Sequence, residues 1–161
     1  MRHRPSSAFF YPFLIICTFL SWHADGFNPA HATDKPLVDP CARITTNNLA
    51  KLIGQKVSGP KRSSMYDEGD HACEYELSDG SGPIEIRAFP GDPWDSIPTL
   101  HPDASSLSGI GGEALEYRDE TIGYYGIYVR KKPVVVEISM PFSPSAEKFI
   151  TFIAQHIIKK L

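Results

Sequence analysis

The fold class is decided by residues 73–89, which read CEYELSDGSGPIEIRAF. Apolar residues alternate with charged residues on both sides of residues 79–82, and those four are typical turn residues. Alternation with a period of two predicts strands that are buried on one face. Two such strands with a short turn between them predict an antiparallel β-hairpin.

Three further strands are predicted downstream, near residues 114–118, 123–131 and 134–140. Residues 90–112 separate them from the hairpin, contain four prolines and four glycines, and show no periodicity. We expect a long connection there, of the kind that is commonly functional or mobile. Residues 58–70 are predicted to form a polar loop.

Two helices are predicted, one before the hairpin and one at the end of the chain. The first has Thr45 as its N-cap and ends at Gly54, a residue suited to the left-handed position after a helix. The second is capped by Ser143, has Pro144 as its first helical residue, and keeps helical apolar spacing to Leu161. These elements predict an α+β domain, a mainly antiparallel five-stranded sheet with two helices packed on one face.

Alternation also assigns the strand residues to the two faces of the sheet. The face expected to pack against the helices carries Tyr75, Leu77, Ile84, Ile86, Leu115, Tyr117, Ile127, Val129, Val134, Val136 and Ile138. The opposite face carries Glu74, Glu76, Glu85, Arg87, Phe89, Glu116, Arg118, Tyr124, Tyr128, Arg130, Val135 and Glu137.

The start of the chain has the features of a signal peptide. Two arginines precede an apolar run over residues 8–22, which is short for a transmembrane helix, and a small-x-small site ends at Ala32. We expect cleavage after Ala32, so that residues 1–32 are the signal peptide, 33–40 an extended lead-in and 41–161 one domain. The product would be periplasmic or secreted, without a stable membrane span. An uncleaved amphipathic anchor is the alternative.

The composition narrows the range of partners. The 161 residues contain 16 Lys and Arg against 19 Asp and Glu, a formal net charge of -3. Nucleic-acid binding requires a basic surface, so a nucleic-acid partner is not expected.

Cysteine usage agrees with export. Removal of the leader would leave Cys41 and Cys73, an even number in an oxidising compartment, which predicts a disulfide between them. A bridge closing a loop of this length stabilises a fold by roughly 3.7 kcal/mol in the chain-entropy model. The alternative is a pair of free or metal-binding thiols, although no CxxC motif or suitably spaced histidine supports metal binding.

Three short motifs resemble a known group of proteins. Residues 39–45 (DPCARIT) lead to the helix end at 52–54 (LIG), residues 73–75 (CEY) follow, and residues 109–114 (GIGGEA) come later. This layout, over most of residues 39–161, is similar to that of small exported bacterial proteins and lipoproteins of unknown function. Their pattern is DPC-x-L-[LT] with a Leu-Gly helix end, a Cys-x-aromatic strand and a Gly-[LI]-Gly-Asp-Glu-Ala turn.

The chain departs from that pattern at Gly112, where these proteins usually have Asp, and it has no convincing lipidation cysteine. The resemblance implies an exported α+β domain with a Cys41–Cys73 link. It implies no activity, catalytic residue or cofactor.

Three clusters could carry chemistry. Residues 67–71 (DEGDH) offer carboxylates and an imidazole, but they lack EF-hand or HExxH spacing and are expected to be a solvated loop. The 90–112 segment contains His101 with several Asp and Ser residues, a set from which a hydrolase site could be built, although no GxSxG motif is present. Residues 109–112 (GIGG) are expected to form a tight turn and not a phosphate loop. We predict no catalytic residues, metal or cofactor.

Aromatic and arginine side chains are predicted to share the outer face of the sheet. Tyr124, Tyr128 and Arg130 alternate along one strand, with Phe89 and Trp94 nearby, as in many contact surfaces. Alternatively, the tyrosines cover Gly126 and the long connection folds over them.

We therefore expect a non-catalytic binding or accessory domain of the cell envelope that takes an unidentified protein or small ligand. A small envelope hydrolase using the Asp, His and Ser residues of the 90–112 segment is one alternative. A structural envelope protein is the other.

Overall fold

The computed structural model describes residues 39–63, 71–89 and 91–161. The predicted signal peptide, residues 33–38 of the lead-in and residues 67–70 of the acidic cluster lie outside the described residues. None of the helices in the described ranges is long and apolar enough to cross a membrane.

The described chain is an α+β domain built on one antiparallel sheet of seven strands. The strands are β1 (Val57–Arg62), β2 (His71–Leu77), β3 (Pro83–Ala88), β4 (Ser105–Ser106), β5 (Glu113–Asp119), β6 (Tyr124–Lys131) and β7 (Val134–Pro141). The helices are α1 (Pro40–Arg43), α2 (Thr46–Ile53), α3 (Ile97–Leu100) and α4 (Ala146–Ile158). The strand order is β1-β2-β3-β7-β6-β5-β4, so β3 and β7 are paired neighbours that do not follow one another along the chain.

The α+β class is confirmed, but the predicted count of five strands and two helices is wrong. Strand β1 occupies part of the predicted loop at 58–70, and the two-residue β4 lies within the 90–112 segment. Strand β1 is an edge strand whose residues after Val57 are all exposed, and its register shifts between Ser58 and Lys61. An exposed edge strand has no buried face, and therefore no apolar alternation by which a sequence could reveal it.

The predicted first helix is confirmed at both ends. The Thr45 hydroxyl accepts a hydrogen bond from the Asn48 N–H at 3.3 Å, and Gly54 has a left-handed φ of 77°. The second helix begins at Ala146 and not at Pro144, and Ser143 does not cap it. The Ala146 N–H instead bonds to the Ser143 carbonyl, which places a turn between β7 and α4.

Helices α2 and α4 cover one face of the sheet, here called the helix side. Its core is mainly aliphatic and includes Leu49, Ile53, Ile84, Ile86, Ile127, Val129, Val136, Ile138, Met140, Ile150 and Ile153. A disulfide joins Cys41, in α1, to Cys73, in β2, with 5.5 Å between the Cα atoms, and so confirms the predicted pairing.

A hydrogen bond also joins β2 to the end of α1, next to the disulfide. The buried Tyr75 hydroxyl donates to the Ile44 carbonyl at 2.6 Å. Burial, followed by the negative charge of Asp39, raises the pKa of Tyr75 to about 12.

The opposite face is covered by residues 91–104, here called the strap, which contain α3. We call this face the strap side. Its buried cluster is Ile97, Tyr117, Tyr128 and Val135. The predicted assignment of Leu115 and Tyr117 to the helix side is therefore wrong. Both faces of β5 carry buried residues, so alternation does not identify which face meets the helices.

Candidate functional site

The five predicted binding residues fall on the strap side, but not as one open surface. Phe89 and Trp94 are partly buried against the strap-side cluster, and Arg130 is also partly buried. Tyr128 is 4% exposed, so the expectation that it is a surface residue is wrong. The strap covers it, as the alternative interpretation of the sequence predicted.

Gly126 explains part of this packing. A Cβ atom added at Gly126 would collide with the ring of Tyr117, which lies across the glycine from the neighbouring strand. The absence of a side chain in β6 therefore makes room for a ring from β5. Because that ring occupies the space between Tyr124 and Tyr128, the two tyrosines do not form a continuous aromatic pair.

His101 attaches the strap to the sheet. Its ring stacks on Tyr117 with 3.9 Å between centroids, and its Nε2 shares a hydrogen bond with the Tyr128 hydroxyl at 3.1 Å. Phe89 extends the group, with its ring centroid 6.0 Å from that of Tyr128. We call Phe89, His101, Tyr117 and Tyr128 the aromatic layer.

A buried carboxylate lies beneath this layer. The Tyr117 hydroxyl donates to Glu137 Oε1 at 2.6 Å, and Glu137 is 9% exposed. Burial, followed by the charge and hydrogen bond of Glu137, raises the pKa of Tyr117 far above its ordinary value. Tyr117 therefore remains a neutral donor that satisfies the carboxylate.

Arg130, in β6, connects the strap to the start of β5. Its guanidinium pairs with Asp92 at 2.6 Å and with Glu113 at 3.3 Å, and it lies 5.4 Å from the centroid of the Trp94 ring. A second arginine, Arg87, lies 4.5 Å from the centroid of Phe89. The rings of Phe89 and Trp94, which are both partly exposed, thus each have an arginine guanidinium over one face.

Tyr124 lies apart from these contacts, on an acidic part of the same face. Burial is the main cause of the raised pKa of Tyr124, and the negative charges of Glu85 and Glu74 raise that pKa further. Those two glutamates are direct cross-strand partners in β2 and β3.

The residues of the hydrolase alternative are not brought together by any contact described for them. His101 meets two tyrosines, Asp92 pairs with Arg130, and the Asp103 carboxylate accepts from the Arg118 N–H at 3.3 Å. Ser105 contacts Glu116 at 3.4 Å. His101, Asp92, Asp103 and Ser105 therefore each have a structural partner from outside the proposed catalytic set.

The remaining clusters are also occupied by structural contacts. Gly109 accepts a hydrogen bond from the Gln155 amide at 3.2 Å, and Ile110 is buried, which agrees with a packed turn. Asp39, Cys41 and Cys73 place potential ligand atoms within 4.8 Å of one another, but both sulfurs are used in the disulfide. They offer no thiolate to a metal.

A cleft on the helix side was not predicted. It has a volume of about 370 Å³, lies beside the start of α4, and is here called the α4 cleft. Its lining includes Arg118, Tyr125, Phe142, Ser143, Pro144 and Glu147. The cleft could not be predicted, because β5 presents the opposite face from the one expected and because Ser143 and Pro144 lie in a turn before α4 and not inside the helix. In the structure Arg118 lies directly opposite Tyr125 on the neighbouring strand.

The polar groups of the α4 cleft are close to one another. Arg118 Nη2 lies 3.1 Å from Glu147 Oε2, and the guanidinium lies 5.2 Å from the centroid of Tyr125. The Tyr125 hydroxyl donates to Glu116 Oε2 at 2.8 Å. Burial, followed by that hydrogen bond, raises the pKa of Tyr125 above its ordinary value. The Ser143 Oγ is buried and finds no hydrogen-bond partner among the described residues.

No protein-family model matches the chain, and no curated protein matches it. Among solved structures, the chain is similar to the crystal structure of a GTP binding regulator from Thermotoga maritima, with 12% identity and a TM-score of 0.42. The similarity covers 69% of this chain and 85% of the other.

Proposed function

We propose that the chain is an exported, non-catalytic binding or accessory domain of the cell envelope, and that its partner binds at the partly exposed rings of Phe89 and Trp94 on the strap side. The observation that carries this proposal is the pairing of Phe89 with Arg87 and of Trp94 with Arg130 on partly exposed surface. Aromatic rings and arginines are the side chains most enriched at binding hot spots.

The contacts assign different roles to the five predicted residues. Phe89 and Trp94 offer accessible ring surface, and Arg130 holds Trp94 in place through its own ion pairs. Tyr128 supports Phe89 from beneath and does not contact the partner. Tyr124 extends the surface toward the acidic part of the face.

The location in the envelope is supported by the disulfide. A Cys41–Cys73 bond persists in an oxidising compartment such as the periplasm or the extracellular medium. The predicted signal peptide at residues 1–32 would direct the chain to that compartment.

Site-specific photo-crosslinking tests the proposal. A photoreactive benzoylphenylalanine replaces Trp94 in one variant and, as a control, the exposed Lys132 in another. Both are expressed with the full leader, and the intact mass of the recovered chain, expected to begin at Thr33, reports export. We expect one discrete adduct from position 94, none from position 132, and a several-fold weaker adduct when Arg87→Ala is added.

Equal adducts from both positions, or none from position 94, would contradict the proposal. Tyr128→Ala is unsuitable as a surface variant, because this residue is buried and its loss would disturb the fold.

A further inference from the structure

The proposed binding site is divided between two parts of the chain. Phe89 directly follows β3 and is fixed to the sheet, because its N–H bonds to the Val135 carbonyl at 3.1 Å. Trp94 belongs to the strap and packs, like Phe89, against the strap-side cluster. The two rings therefore belong to one surface only while the strap lies on the sheet.

The strap itself has a small buried core. Among residues 91–104, all of which the structure describes, Ile97 is the one buried side chain, and the residues after it from Pro98 to Leu100 are exposed. Polar contacts hold the rest, beginning with the ion pair of Asp92 and Arg130 at 2.6 Å. A segment attached in this way can open while the domain stays folded.

His101 and Trp94 depend on the same buried rings, although they lie near opposite ends of the strap. His101 stacks on Tyr117 with 3.9 Å between centroids and shares a hydrogen bond with the Tyr128 hydroxyl at 3.1 Å. Those two tyrosines, whose ring centroids are 5.3 Å apart, belong with Ile97 to the cluster against which Trp94 packs. Contiguous packing therefore couples the position of Trp94 to the contacts of His101.

We propose that the strap is a gate on the binding site, and that His101 is the positioning residue that sets the fraction of closed molecules. This inference rests on the proposed function, because the gate acts on the surface formed by Phe89 and Trp94. The closed strap presents both rings to the partner, whereas the open strap carries Trp94 away from Arg130. The apparent affinity for the partner is then the affinity of the closed form multiplied by the closed fraction. Partner binding in turn favours the closed strap.

Trp94 reports the state of the gate without any partner. The sequence has two tryptophans, of which the other, Trp22, lies in the predicted signal peptide. Trp22→Phe in every chain therefore leaves Trp94 as the only tryptophan, whether or not the leader is removed. Opening of the strap transfers its partly buried indole into water, which should increase quenching of its fluorescence by acrylamide and shift its emission to longer wavelength.

Acrylamide quenching of the recovered chain tests the gate. His101→Ala removes a ring stack and a hydrogen bond, and it should lower the ratio of closed to open strap by about tenfold. Quenching of Trp94 should rise accordingly, and His101→Phe, which keeps a ring, should have a smaller effect. Thr99→Ala, at an exposed strap residue, is the matched control and should change nothing. Unchanged amide exchange in β6 and β7 verifies that the sheet remains folded in each variant.

Photo-crosslinking tests whether the gate controls binding. His101→Ala, added to the chain with benzoylphenylalanine at position 94, should lower the adduct yield several-fold, and Thr99→Ala should not. Ile97→Ala should produce the same two changes as His101→Ala. Because Ile97 is 1% exposed, it cannot act by touching the partner, so its effect on the yield reports the strap alone.

The gate is overturned if both variants leave the quenching of Trp94 unchanged, or if they increase it while the adduct yield stays the same. A lower yield from His101→Ala without a change in quenching also overturns it, because His101 would then act by direct contact. No adduct from position 94 in the parent chain would contradict the proposed function, and the gate would fall with it. The failure of the gate alone is thus distinguishable from the failure of the site.

Discussion

The two faces of the sheet are covered in different ways. The helix side is closed by α2 and α4, and its core is an extended aliphatic cluster. The strap side is closed by residues 91–104, with one fully buried aliphatic residue of the strap, Ile97, and an aromatic layer held by polar contacts. One face therefore rests mainly on apolar burial, whereas the other depends on ring stacking and a few specific hydrogen bonds.

This difference predicts unequal stability within one domain. A segment held by few buried apolar side chains opens locally at a lower free energy than the whole domain unfolds. The strap meets that description, and the helix side does not. We therefore expect the strap to open while the sheet and α4 remain folded.

The largest expected effect comes from replacing a buried isoleucine by alanine, once on the helix side and once on the strap side. Ile150→Ala, at a residue in α4 with no exposed surface, should lower the free energy of unfolding by about 3 kcal/mol. Ile97→Ala, at a residue 1% exposed, should lower the free energy of unfolding by roughly 1 kcal/mol. The loss is small because the substitution can remove no more than the free energy by which the closed strap is favoured over the open strap. Denaturant unfolding of both variants measures the difference.

Hydrogen exchange sharpens that comparison. In Ile97→Ala, strap amides should exchange faster while those of β6 and β7 keep their protection. Equal losses from the two variants, with all amides affected alike, would show that both sides form one cooperative unit.

A smaller effect is expected from the tyrosine hydroxyls on each side. Tyr117→Phe removes one hydrogen bond to the buried Glu137 carboxylate and should cost about 2 kcal/mol, the range for hydrogen bonds to charged groups. Tyr75→Phe removes a bond to the neutral Ile44 carbonyl and should cost about 1 kcal/mol. Thermal unfolding of both variants checks the order, and adding Glu137→Gln should recover part of the Tyr117→Phe loss. A larger loss of stability from Tyr75→Phe than from Tyr117→Phe would contradict the view that the strap side depends more on specific hydrogen bonds.

The smallest effect is a dependence on pH from the helix side. Burial, followed by the charges of Lys160 and Lys159, lowers the pKa of His156 below its ordinary 6.5. His156 therefore binds a proton more readily in the unfolded chain than in the folded chain. The free energy of unfolding is highest above the pKa of the unfolded state and decreases as the pH falls through that pKa. Between about pH 7 and about pH 5 we expect a loss below about 1 kcal/mol, reduced in His156→Gln. An undiminished pH dependence in that variant would assign the effect to other groups.

Much of the fold could be predicted where local sequence and tertiary environment agree. The hairpin of β2 and β3 has one buried face and clear turn residues, and the helix α2 has both of its capping residues. Strand β1 could not be predicted, because it is exposed on both faces. Strand β5 was assigned to the wrong face, because two separate cores bury its alternate residues.

The candidate sites were harder to predict for the same reason. Phe89, Trp94 and Arg130 can be identified from residue type; Trp94 contacts Arg130, and Phe89 and Trp94 pack against the same buried cluster. The burial of Tyr128 depends on where the strap folds, which no periodicity in residues 90–112 indicates. The α4 cleft is formed by the turn between β7 and α4 together with side chains of β5 and β6, so it exists only after the chain has folded.

The pairing of β3 with β7 has a consequence for how copies of this chain can associate. Strands β1 to β3 are neighbours in chain order, as are β4 to β7, so four residue pairs between β3 and β7 join two contiguous halves of the sheet. The strap is part of the covalent connection between those halves. If two molecules exchanged their C-terminal halves, each sheet could be rebuilt only after the strap had opened, so residues 91–104 are the segment that would have to act as the hinge.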